Sequence, residues 1–186
     1  VKSSLEDAFR LFIIPLFGEE LSEKFQNIYD DPAAGPSDLL LLEECQRAIA
    51  NLAFWYNYTE LNIRITDQGF QRQEAENFKS TYKYQEDQLR AAFKNKGFNA
   101  IDRMIDFLDK HKADFPEYEK SPAYAFRTKA IVRKTSEVDE IYFINKSHLI
   151  FLRLKPFFKI VEETVLQPVL GVDLYNTLLS SIEKGD

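Results

Sequence analysis

The sequence predicts a mainly α-helical fold, a multi-helix bundle forming a single domain over residues 1–186, with a small β-hairpin or extended arm near residues 62–73. Three observations predict it. Residues 39–58, LLLLEECQRAIANLAFWYNY, place apolar side chains all the way round a helix, as a core segment does. Apolar residues recur at three- and four-residue steps through most of the remaining chain, between capping residues, prolines and glycines. One stretch departs from that period: Ile63 and Ile65 alternate with polar neighbours and lead into the turn signal Asp67-Gln68-Gly69.

In chain order, Ser3 and Glu6 spell a capping box, and Leu5, Ala8, Phe9, Phe12 and Ile13 follow at helical spacing until Pro15 stops the run. A second helix opens on Glu19 and Glu20, buries Leu21, Phe25 and Ile28, and ends at Asp30. Pro32, Gly35 and Pro36 make a loop, after which Ser37 is placed to cap the central helix. There Leu41, Cys45, Ala48, Leu52 and Trp55 form one stripe and Leu42, Ile49, Ala53 and Tyr56 the next, so neighbours are expected on several sides. The arm follows. A two-stranded ribbon is marginal alone and must lie on the helices or pair with another chain. Ile63, Ile65, Asp67, Gly69 and Phe70 are therefore candidate assembly contacts.

Phe78, Tyr82, Leu89, Ala92 and Phe93 give an outer helix over 74–96, closed by Gly97. Asn99 caps the next, whose Ile101, Met104, Ile105 and Leu108 face inward. Ser121-Pro122 restarts the chain as a helical segment through about Val138, and EIYFIN at 140–145 reads as a short strand or a buried turn. Ser147 caps a long segment to Gln167 in which Pro156 either kinks the helix or starts another, and Leu174, Leu178, Leu179 and Ile182 mark a last amphipathic helix. The segments 13–25 and 166–178 share a Pro-x-x-Gly corner: Pro15, Gly18 and Leu21 align with Pro168, Gly171 and Leu174. In each, a helix stops before the proline, glycine takes a conformation other residues resist, and an acid starts the next helix. Either the corner is duplicated or two corners converged on the same chemistry.

Composition bounds the function. The 24 Lys and Arg against 30 Asp and Glu give a net charge of -6, which disfavours nonspecific nucleic-acid binding. No apolar run reaches membrane-spanning length, and VKSSLED lacks a signal-peptide pattern, although a start at Val1 leaves room for upstream residues. Single Cys45 excludes an internal disulfide and sits in an apolar segment beside Glu43 and Glu44, unlike a nucleophile. His111 and His148 lack ligand spacing. Asp102, Asp106 and Asp109 share a helix face that is read as solvated, since no calcium loop accompanies them. The basic groups Arg127, Lys129, Arg133 and Lys134, and Arg153, Lys155 and Lys159, are read as solvated helix faces, the alternative being contact with nucleic acid or an acidic partner. The expectation is a chain without catalytic residue, metal or cofactor.

The ordered series IIPLFGEEL, the leucine-rich central helix, ELNIRITDQGFQRQEAENFKSTYKYQ, GFNAIDRMIDFL, DFPEYEKSPAY and FLRLKPFFKIVEETVLQPVLG resembles an uncharacterised helical family of Bacteroides-group bacteria and their prophages. Tyr84 and Tyr118 stand where members tend to carry tryptophan. By its prophage setting, size and helical character the family is similar to head-tail connector or head-completion proteins of tailed phages. The resemblance implies a structural subunit that works by association with copies of itself or with other phage structural proteins, in the host cytoplasm or the virion. The second expectation is a cytoplasmic helical binding module of a host bacterium. A third, an enzyme with a helical-bundle site, rests on Asp102, Asp106 and His111 alone.

Overall fold

Proline 15 does not stop the first helix. In the computed structural model, which describes residues 2–61, 63–66, 69–72, 82–128 and 131–184, α1 (Lys2–Ala8) runs into a π-turn (Phe9–Ile13) and then α2 (Ile14–Asp30). A proline ring collides with the carbonyl four residues back in a regular helix and offers no N–H to it. The π-turn opens the register just before the proline, with the Ile14 N–H donating five residues back to the Phe9 carbonyl. The break comes instead at Gly18, where φ is 76° and ψ is 172°. Ser3 lies inside α1, so it has no N-cap position from which to form a capping box.

The chain divides into two compact units, Val1–Phe107 and Leu108–Asp186. In the first, α3 (Pro36–Tyr56) starts from Gly35 with Pro36 at its first position, and Ser37 falls two residues too late to cap it. Leu41, Cys45, Ala48 and Leu52 are all buried, and α3 packs against α1 and α2. The second stripe is not covered as expected: Ala53 is buried, but Tyr56, together with Leu39, Leu40 and Phe54, stands exposed. Rings meet rings there without closing off water. Phe54 stacks on Phe93 with centroids 5.3 Å apart, and Phe12 meets Trp55, Tyr56 and Phe98 at 5.9, 6.1 and 6.2 Å.

After α4 (Tyr58–Leu61), β1 (Ile63–Thr66) pairs antiparallel with β2 (Gly69–Arg72), placing Ile63 opposite Arg72 and Thr66 opposite Gly69. Asn62, Asp67 and Gln73 of the expected arm, and Phe78 of the expected outer helix, lie outside the described residues.

One helix, α5 (Lys83–Lys110), replaces the two expected on either side of Gly97. Gly97 is not a helix end and Asn99 is not a cap. A Cβ at position 97 would lie 2.5 Å from Leu52 Cγ, so glycine is there to let α5 approach α3 closely. The Arg103 guanidinium adds a polar tie, holding Glu44 Oε2 through Nε and Nη2 at 2.9 and 2.8 Å. The inward residues Ile101, Met104, Ile105 and Leu108 are fully buried, as their spacing predicts.

Within Leu108–Asp186, a 3-10 turn (Pro116–Lys120) buries Tyr118, whose hydroxyl donates to Asp109 at 3.0 Å. Helix α6 (Pro122–Thr128) starts where Ser121-Pro122 predicts, with Ser121 Oγ accepting the Tyr124 N–H at 3.2 Å. It does not continue to Val138, which instead belongs to a separate short helix, α7 (Thr135–Asp139). Helix α8 (His148–Val161) is capped by Ser147 Oγ, which accepts the Ile150 N–H at 3.4 Å, and it passes through Pro156 without starting anew. A second π-turn (Glu162–Leu166), α9 (Gln167–Leu170) and α10 (Val172–Lys184) complete the unit. Val138, Ile144 and Phe151 form a small core with Val132, Leu154 and Phe158 against it.

Candidate functional site

Both Pro-x-x-Gly corners are built from the same parts in the same order. In each, a five-residue π-turn precedes a four-residue helical step holding the proline, and a glycine at φ 76° ends it: Pro15 and Gly18 in one, Pro168 and Gly171 in the other. The Gln167 N–H donates to the Glu162 carbonyl as that of Ile14 does to Phe9. Burial separates the copies. Leu21 is fully buried, whereas Leu174 is 54% exposed. The sequence alignment of the corners gave no sign of the π-turns, because no residue type marks them.

The π-turn at 162–166 also positions a buried carboxylate. Glu162 accepts the Ile131 N–H at 3.0 Å and the Tyr175 hydroxyl at 3.1 Å, tying the chain after α6 to α10. Burial, and then the neighbouring Glu162 carboxylate, push the Tyr175 phenol above its ordinary value. Arg133, expected as part of a solvated basic face, instead donates from Nη1 to the Ile182 carbonyl at 2.9 Å, near the end of α10. A cation there complements the negative end of a helix. Sequence reasoning passed over Glu162 and Tyr175, since a lone acid in an amphipathic helix normally faces solvent.

Segment 140–145, EIYFIN, is neither a strand nor a buried turn. Ile141, Tyr142 and Phe143 are 90%, 68% and 77% exposed, and only Ile144 is buried. The loop is nevertheless held at both ends. The Asp139 carboxylate accepts the N–H groups of Ile144 and Lys146 at 2.8 and 3.2 Å, and Asn145 and Lys146 take φ of 54° and 52°. Left-handed backbone at two successive residues turns the chain sharply back. A second apolar surface follows on the same unit: Phe157, Val161, Val165 and Val169, at every fourth position, are 50–79% exposed, with Ile160 beside them. Single exposed apolar residues are ordinary, but contiguous ones mark contact surfaces.

Of the arm residues, Ile63, Ile65, Gly69 and Phe70 lie on the paired strands, with Ile65 opposite Phe70; Asp67 is outside the described residues. For bond-making chemistry, Cys45 is buried and its thiol is pushed up to about 12 by desolvation, so it holds its proton at neutral pH. Asp109 is engaged by Tyr118. Among the described residues no three His, Cys, Asp or Glu side chains gather as metal ligands would, and no helix is long and apolar enough to cross a membrane.

A model of a family described only as of unknown function, DUF6712, matches residues 13–128. No curated protein and no solved structure matches the chain.

Proposed function

The chain belongs to that family, which brings no activity with it, and we propose that it is a non-catalytic structural protein acting by protein–protein association, a prophage-encoded subunit of the head-tail connector kind. The observation that carries the reading is the exposed Ile141-Tyr142-Phe143 loop, three contiguous apolar side chains held out by a tied backbone. Ordering such a loop in advance lowers the entropy lost when a partner covers it. The resemblance to helical proteins of Bacteroides-group prophages supports the virion setting. In this role the β arm near 62–73 adds a second contact, pairing with a neighbouring subunit, and the two glycine corners set helix directions.

Deleting residues 62–73 tests the arm. The deletion variant keeps the helical circular dichroism and cooperative melt of the parent while losing assembly; a variant that unfolds, or that assembles normally, contradicts the role. The second reading, a cytoplasmic helical binding module of the host with no virion role, draws on the same exposed loop. It predicts a stable monomer that captures one host protein.

A further inference from the structure

Two apolar surfaces of the Leu108–Asp186 unit carry opposite charge at their edges. The Ile141-Tyr142-Phe143 tip is led by Glu137, Asp139 and Glu140 and followed by Lys146, a net negative edge in which Glu137 and Asp139 also accept backbone N–H groups. The ridge of Phe157, Ile160, Val161, Val165 and Val169 has Arg153 and Lys159 exposed beside it, the lysine also 3.7 Å from Glu163. We propose that these are the two halves of one head-to-tail contact, in which the tip of one copy docks on the ridge of a second copy of this chain. The proposal rests on the assembly reading and names its contact.

Charge complementarity selects the occupant. An acid-led tip is repelled by the anionic headgroups that usually attract peripheral proteins, which turns it away from a lipid surface. A base-flanked apolar ridge attracts an acid-led apolar segment, and this chain presents one. Because tip and ridge are different surfaces, a pair joined by one such contact leaves one tip and one ridge uncovered. Contacts of that heterologous kind propagate until they close into a ring or extend into a filament.

The test uses the full chain in sedimentation velocity over a concentration series, with four single variants and one double variant. Phe143→Asp removes the tip and leaves the ridge; Ile160→Asp removes the ridge and leaves the tip. Both positions are exposed, so each variant is expected to keep the parent fold, which circular dichroism melts check. The parent associates with rising concentration, and each variant alone associates about tenfold or more weakly. Mixed in equal amounts, the two form a heterodimer that grows no further, since only one productive tip–ridge pair remains. Glu140→Arg and Arg153→Glu each weaken association, and combining them in one chain restores it. A parent that stays monomeric, variants that associate like the parent, or a mixture that stays monomeric overturns the contact. If the chain is found in phage particles while the mixture forms no heterodimer, the contact falls and the assembly reading stands. A heterodimer with no chain in particles gives the reverse.

Discussion

Gly97 and Cys45 make residue-level demands that can be measured separately. Since a Cβ at 97 would lie 2.5 Å from Leu52 Cγ and 2.8 Å from its Cδ2, Gly97→Ala forces Leu52 or the helices to move. The expected loss is about 1–3 kcal/mol of unfolding free energy, the usual cost of overpacking, read by urea denaturation. At Gly35 the nearest atom to an added Cβ is Asp38 Oδ2 at 3.4 Å and the backbone is extended, so Gly35→Ala is expected to cost far less. Equal losses at the two positions would contradict the close-approach account of Gly97. Cys45 sets a pH dependence. Its folded thiol titrates at about 12 against an ordinary 9.0, so between those values the folded chain holds a proton that the unfolded chain releases. Stability from this group is complete below pH 9.0 and falls as pH rises toward 12. Urea midpoints followed upward from pH 9.0 should drop more steeply for the parent than for Cys45→Ala, which is less stable throughout but lacks this titration.

At the scale of elements, the corners and α5 show what a sequence can and cannot say. Inward positions on α5 were legible because burial follows the helical period, and Ile101, Met104, Ile105 and Leu108 obey it. Its continuity was not, because glycine carries the same letter whether it ends a helix or lets two helices touch, and only the partner, Leu52, tells them apart. The proline corners were legible as corners, but the break sits at Gly18 and Gly171, after the prolines, because the π-turns absorb each proline ring. The loop at 140–145 was misread because three apolar residues ordinarily seek the interior, and nothing local announces that they are held outside. Gly171→Ala isolates the backbone contribution: nothing lies within 4 Å of its added Cβ, so the cost is that of holding alanine at φ 76° and ψ 155°, an extended conformation essentially reserved for glycine, about 1–3 kcal/mol. Tyr175→Phe, which cuts the hydroxyl from the buried Glu162 carboxylate, should cost about 1.5–3 kcal/mol by the same urea measurement. No change in either variant would remove the corner and the Glu162 tie from the account of this unit.

On the scale of the whole molecule, the family match covers 13–128, whereas the tip and ridge both lie beyond it. Among the described residues, Ile141, Phe143 and Val169 after 128 are the most exposed apolar side chains, and burying them is free energy available for association. In the proposed role the chain acts through contacts between molecules. Quantitative mass spectrometry of purified particles, after inducing the prophages of a strain that carries this gene, tests that claim most directly. The polypeptide is expected at a fixed copy number per particle, as a closed ring requires. Intact particles that lack the polypeptide would contradict it.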